Sequence, residues 1–161
     1  MKIEIKRLTQ EAIEQIDQVA KWQYKTWGKE SGFSYACVKE NITHSLQIDR
    51  LPMTYIALVD DAIAGYFQLS MADDLEVRPD LYPWLINLYV DKKFRHLGVA
   101  DKLLREVPKI MKQAKLSILY LYTTLDKMFE KYGWEMIEQL QTKQKNLPKQ
   151  VKIYKLENKK I

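Results

Sequence analysis

The chain has 161 residues, one domain's worth, enough to bury about 68–70% of its unfolded surface around a single core. Its 47% hydrophobic content is interrupted by 29% charged residues, and no apolar run reaches the roughly 20 residues of a membrane-spanning helix. We therefore expect a soluble, unprocessed, cytoplasmic chain with no membrane partner. The net charge of +5 favours anionic ligands, and the single cysteine, Cys37, excludes an intrachain disulfide.

In chain order, residues 3–8 alternate apolar and polar side chains and predict a first strand. Thr9 is the expected N-cap of a helix whose inner stripe is Ile13, Ile16, Val19, Ala20, Tyr24 and Trp27, ending near Gly28. A second helix is expected over 35–48, capped by Ser34, with Val38, Ile42, Ser45 and Leu46 inward and Cys37 a small buried residue. After Pro52 the period drops to two. Strands over 54–59 and 63–70 flank Asp60-Asp61, a tight hairpin turn, and Gly65 marks a bulge or a close approach. A polar linker leads to an apolar strand over 84–90. The helix from 97 carries Leu103, Leu104, Val107, Ile110 and Met111 on one stripe, and Pro108 is expected to kink it. A strand over 117–123, a short helix over 126–131 ending at Gly133, and strands over 134–140 and 149–156 complete the order β-α-α-β-β-β-α-β-α-β-β. No repeat or linker divides it, so 1–161 reads as one domain.

Charge is distributed unevenly. Between Lys92 and Lys115 there are eight Lys/Arg against Asp101 and Glu106, whereas Asp60 to Asp80 holds six carboxylates against Arg78. The basic stretch follows the apolar strand and opens the amphipathic helix. A glycine turn at that junction lets main-chain N–H groups approach an anion, and the helix start adds unpaired amides and the positive end of its dipole. Gly98 supplies the approach, Arg95 a charge, and Lys92 and Lys93 flank them.

The segment R-H-L-G-V-A resembles the R/Q-x-x-G-x-G/A signature of the GNAT N-acetyltransferase superfamily, with Arg95, Gly98 and Ala100 on its defined positions. F-E-K-Y-G-W at 129–134 resembles the family's Y-E-K-x-G-F/W segment, and R-P-D-L-Y-P-W-L at 78–85 resembles a stretch found in bacterial members of unassigned substrate. The element order is similar too. The resemblance implies a single-domain α/β (α+β) fold: a mixed, mostly antiparallel sheet of about seven strands, splayed between the fourth and fifth, with about four flanking helices.

It also implies the chemistry. Main-chain groups of Leu88, Tyr89 and Val90 would meet the pantetheine arm of acetyl-CoA, and Arg95, His96, Leu97, Gly98, Val99 and Ala100 would cradle its pyrophosphate. His96 stands where many members have glycine. Acetyl would pass directly to a primary amine of a small cationic molecule or peptide, leaving coenzyme A, with an N–H near Leu88 or Tyr89 receiving the developing oxyanion.

Two positions depart from the family pattern. Residues 81–90, which include the fourth strand, lack the carboxylate that many members use as base, so Asp73, Asp74 and Glu76 in the preceding linker are the candidates. The family's acid tyrosine aligns with Phe129, leaving Tyr132 or Tyr122 to protonate the thiolate. Trp27, Phe33, Tyr35, Tyr82 and Trp84 are expected around the acceptor. No metal or nucleic acid is expected, since the helix lysines have no interleaved aromatics. The chain is expected to act as a monomer or homodimer. The rival reading is a catalytically weak or inactive acyl-CoA-binding or regulatory module.

Overall fold

The alternating residues at the start form β1 (Ile3–Arg7), antiparallel to β2 (Met53–Val59), which pairs antiparallel with β3 (Ala62–Ser70). The computed structural model describes residues 1–73, 75–145 and 147–158. Its hydrogen-bonded strand order is β1-β2-β3-β4-β5-β7-β6, with β4 (Trp84–Val90) and β5 (Ile118–Thr123) parallel at Trp84 and Tyr120. This mostly antiparallel mixed sheet is the expected one. The chain forms two compact units, Met1–Leu69 with Asn87–Glu106, and Ser70–Ile86 with Val107–Ile161.

In the first unit, α1 (Ile13–Gln23) and α2 (Tyr35–Thr43) pack with the central strands around Leu8, Ile16, Val19, Ala20, Trp22, Ile42, Ile56, Leu58 and Tyr66. Burying each large apolar side chain contributes roughly 1.5–3 kcal/mol. The first helix starts later than Thr9 suggests. A turn from the Thr9 carbonyl to the Ala12 N–H (3.2 Å) intervenes, and Ile13 is left 61% exposed instead of on the inner stripe. From Tyr24 to Gly28 the helix widens into a π-helical turn. Ser34 caps α2 as expected, its hydroxyl accepting the Cys37 N–H at 3.1 Å, but the helix stops at Thr43 and Cys37 faces solvent. Asp60 and Asp61 turn the hairpin with φ of 46° and 70°, the left-handed pair that a two-residue turn of this kind requires. Gly65 shows both expected features. The β2–β3 register shifts beside it, between Ala57 and Leu58, and a Cβ built on it would sit 2.6 Å from the Tyr89 carbonyl oxygen.

In the second unit, β7 (Gln150–Glu157) lies between β5 and β6 (Glu135–Gln141), antiparallel to both. Leu75, Leu81, Trp84, Val151 and Ile153 form its buried cluster. The helix expected over 126–131 shrinks to a 3-10 turn, Glu130–Tyr132, closed by Gly133 at φ 91°. Among the described residues, no helix is long and apolar enough to cross a membrane.

The helix α3 (Val99–Gln113) buries Val99, Leu103, Leu104, Val107, Ile110 and Met111 along one stripe. It continues through Pro108, which lacks the N–H that would bond the Leu104 carbonyl.

Candidate functional site

The strand, loop and helix start singled out by the sequence lie in the first unit from Asn87 onward. Leu88, Tyr89 and Val90 are half-buried at the end of β4. Tyr89 packs on Trp22 at 5.3 Å and meets the edge-on ring of Trp27 at 6.4 Å. Gly65 of β3 comes against the Tyr89 and Val90 main chain, and the Asp91 N–H donates to the Ala64 carbonyl at 2.8 Å. The course of this main chain is therefore set by its neighbours before any ligand is considered.

A 3-10 turn, Lys92–Phe94, follows, and then the loop changes hand twice: His96 has φ 63° and Gly98 φ 87°. The left-handed region at 96 explains why glycine suits that position. Histidine is one of the few side-chain-bearing residues enriched there. A Cβ on Gly98 would meet nothing within 4 Å, so this residue faces open space and is required for its backbone alone. Its carbonyl accepts the Lys102 N–H at 3.0 Å, placing Gly98 at the N-cap of α3. Val99, 1% exposed, anchors the first turn. Lys92, Lys93, Arg95, His96 and Leu97 are exposed around it. Helix-start amides, a left-handed glycine facing open space and several cations form a cradle suited to a pyrophosphate.

Arg95 is used differently from a simple charge aimed at the anion. Its Nε–H donates to the Val90 carbonyl at 2.9 Å, and its guanidinium carbon lies 5.7 Å from the Tyr89 ring centroid. One of its five donors thus ties the loop back to β4 while the charge stays at the cradle.

The proposed acid and bases belong to the second unit. Phe129 is 5% exposed, edge-on to Trp134 at 6.3 Å and tilted against Tyr154 at 5.8 Å. Three residues on, Tyr132 is half-buried beneath the Lys131 ammonium, 5.0 Å from its ring centroid. Glu76 is exposed, and its main-chain N–H donates to Gln144 Oε1 at 2.9 Å. Asp73 is half-buried, and Asp74 lies outside the described residues. Tyr122 is half-buried and edge-on to Trp84 at 6.3 Å.

Of the aromatics expected around an acceptor, Trp84 is excluded. It is 2% exposed, its indole N–H donating to the Leu81 carbonyl at 2.7 Å, which makes it core. Trp27 and Phe33 are exposed and Tyr35 is half-buried, edge-on to Tyr24, all in the first unit, while Tyr82 is exposed in the second.

Beside Phe129, the Tyr154 hydroxyl donates to Glu130 Oε1 at 2.7 Å. That bond, first, and burial, second, push the Tyr154 phenol up to about 12 from 10.0, and the same bond lowers the Glu130 carboxyl. A raised folded-state value contributes stability that is complete below the unfolded value and lost as pH rises through the folded one. Tyr154→Phe is therefore expected to flatten the fall in melting temperature between about pH 10 and pH 12 while leaving the neutral side of the profile similarly shaped. An unaltered alkaline slope in the variant would show that the hydroxyl does not govern it.

Sequence reasoning missed one group of residues. Asn87 has φ 58° in the middle of β4, and its Nδ2 donates to Gln68 Oε1 at 2.8 Å and lies 3.5 Å from Gln23 Oε1. Gln68 sits in a strand buried on both faces, where a period of two gives no sign that one amide has a special partner.

The fold is similar to those of solved N-acetyltransferases. An aminoglycoside 6'-N-acetyltransferase complexed with coenzyme A is similar over 96% of this chain and 97% of its own, with a TM-score of 0.73 at 14% identity. An aminoglycoside 6'-acetyltransferase type Ii gives 0.72 at 17% identity over 96% and 97%. The PaiA N-acetyltransferase of Thermoplasma acidophilum, in complex with coenzyme A, gives 0.62 at 21% over 98% and 99%. At such identities the likeness establishes the fold. No curated protein sequence matches the chain. Residues 13–134 match the Acetyltransferase (GNAT) family, and the chain belongs to that family of acetyl-CoA-dependent enzymes.

Proposed function

We propose that the chain, acting as one domain over 1–161, transfers acetyl from acetyl-CoA directly to a primary amine of a small cationic molecule or peptide. The observation that carries this reading is the run from Leu88 to Ala100: a strand end held by its neighbours, two left-handed residues and an open helix start. Leu88, Tyr89 and Val90 would hold the pantetheine arm by main chain, and Arg95, His96, Leu97, Gly98, Val99 and Ala100 the pyrophosphate. When bound, the cofactor supplies an activated acetyl thioester. The protein supplies orientation, an N–H at Leu88 or Tyr89 for the carbonyl oxygen, and proton transfer.

Support for a cationic acceptor comes from the carboxylates of the linker before β4 and from the aminoglycoside named for two similar structures. An amine with a pKa of about 10.4 needs about 4.6 kcal/mol to lose its proton at pH 7, against about 1 kcal/mol for an α-amine, so the base matters most for lysine-like acceptors. Asp74 and Glu76 are assigned that role through water. Tyr132 is assigned as acid, since the Phe129 ring has no proton to give and is packed among Trp134 and Tyr154.

Acetyl-CoA consumption across a panel of aminosugars, polyamines, lysine-like and α-amines, and neutral controls tests the substrate class. Turnover confined to neutral or acidic acceptors would refute it. Tyr132→Phe is expected to lower kcat at least about 100-fold, the lower side of what a general acid contributes, with the acetyl-CoA KM unchanged. An unchanged kcat removes Tyr132 from the mechanism. Coenzyme A binding with transfer to no amine, unrelieved by Phe129→Tyr, would identify a non-catalytic binding module.

A further inference from the structure

A strand residue ordinarily has φ near −120°, yet Asn87 stands at 58° within β4. A residue with a Cβ persists there only where its surroundings over-determine it. Here they form a chain of directed hydrogen bonds through the interior of the first unit. The Ser45 carbonyl, which can only accept, takes the Thr54 hydroxyl proton at 2.9 Å. Thr54 Oγ1 then accepts from Gln68 Nε2 at 3.0 Å. That leaves Gln68 presenting Oε1, which accepts from Asn87 Nδ2 at 2.8 Å. Thr54 and Gln68 are 0% and 2% exposed, so neither can exchange its partner for bulk water. Gln23 Oε1, already accepting the Tyr66 hydroxyl at 3.1 Å, lies 3.5 Å from the same Asn87 nitrogen. The polarity of the chain is thus fixed from its carbonyl end, and residue 87 must be a donor.

We propose that Asn87 is a positioning residue for acetyl transfer: the buried amide chain Ser45–Thr54–Gln68 locks the left-handed turn at 87, and that turn aims the main-chain N–H and C=O groups of Leu88–Val90. This rests on the reading that Leu88–Val90 meets the cofactor. Two properties of asparagine are needed together, tolerance of positive φ and a donor at Nδ2. Glycine retains the first without the second. Aspartate also tolerates the backbone, but its carboxylate opposes the Gln68 and Gln23 oxygens. Valine lacks both.

The test compares Asn87→Gly, Asn87→Asp and Asn87→Val with the natural protein. It measures coenzyme A affinity by calorimetry, the thermal midpoint, and kcat per coenzyme-A-binding site with the best amine of the panel. A loss of folded protein lowers the number of binding sites but leaves kcat per site unchanged. The expected order is a fall of about 3–5-fold per site for glycine and at least tenfold for aspartate and valine, with the amine KM unchanged. If valine does not fold, the glycine–aspartate pair decides. Variants that keep kcat per site within about twofold, or a glycine variant as impaired as aspartate, overturn the proposal. If the natural protein binds coenzyme A but acetylates no amine, the functional reading fails on its own. Asn87 is then judged by coenzyme A affinity, where a loss at least tenfold greater for aspartate than for glycine supports its role and equal values overturn it. Absence of coenzyme A binding by the natural protein overturns both.

Discussion

Gly98→Val is expected to weaken coenzyme A binding by about 10–100-fold while lowering stability by no more than about 1–2 kcal/mol. The two effects separate because Gly98 does two things. Its φ of 87° lies where an L side chain is disfavoured by roughly 1–2 kcal/mol, and the variant must either bear that cost or rotate the loop. Rotation is the route open to it: residues 95–98 are exposed, and a Cβ at 98 meets nothing within 4 Å, so no packing resists the change. The rotation carries the amides at the α3 start with it, and these are the groups that an anion would use. Whichever route is taken, the isopropyl group then occupies the space above the helix start. Calorimetry with coenzyme A and with its 3'-dephospho form reads the affinity, and a thermal melt reads the stability. Unchanged affinity would move the pyrophosphate away from α3.

The sequence carries this cradle unusually well because its roles fall on backbone. An anion held by amides needs a strand, a turn with left-handed positions and a helix start, and each has a local signature: the apolar run ending at Val90, Gly98, and the 3.6-residue stripe from Val99. Asp60-Asp61 and Ser34 were legible for the same reason, since a turn and a cap are decided within four residues.

What was not legible depends on contacts between distant segments. Trp84 reads as a pocket aromatic until its indole is found bonded to the Leu81 carbonyl inside a cluster built partly from β7. Cys37 and Ile13 have apolar character but are exposed: α2 turns Val38 and Ile42 inward, about 100° round the helix from Cys37, and Ile13 is the first residue of α1, which starts later than its periodicity suggests. The polar chain through Gln68 joins residues 45, 54, 68 and 87, and no short-range pattern relates these positions. The proposed catalytic groups are the least legible for a further reason: a base that acts through water, as proposed, places few demands on local sequence.

Gly65→Ala is expected to be the costliest single-methyl change in the first unit, and to act on both stability and catalysis. In an ordinary strand the exchange gains about 0.5–1 kcal/mol, because alanine has less backbone entropy to lose. Here the added Cβ would lie 2.6 Å from the Tyr89 carbonyl oxygen and 3.3 Å from the Val90 Cα, both backbone atoms that cannot swing aside as a side-chain end can. β3 and the end of β4 must separate by several tenths of an ångström. The neighbouring Asp91 N–H bond to the Ala64 carbonyl, 2.8 Å long, is strained by the same movement. Overpacking of this kind costs typically about 1–3 kcal/mol, which for a chain of this length corresponds to a fall of roughly 2–12 °C in melting temperature. The displaced atoms belong to the main chain assigned to the pantetheine arm, so the acetyl-CoA KM should rise at least fivefold at temperatures where the variant remains fully folded. Gly98→Val would weaken binding with little loss of stability, whereas Gly65→Ala would link the two. A Gly65→Ala protein melting within 1 °C of the natural one would mean that the sheet yields here at no cost and that the end of β4 is not held by β3.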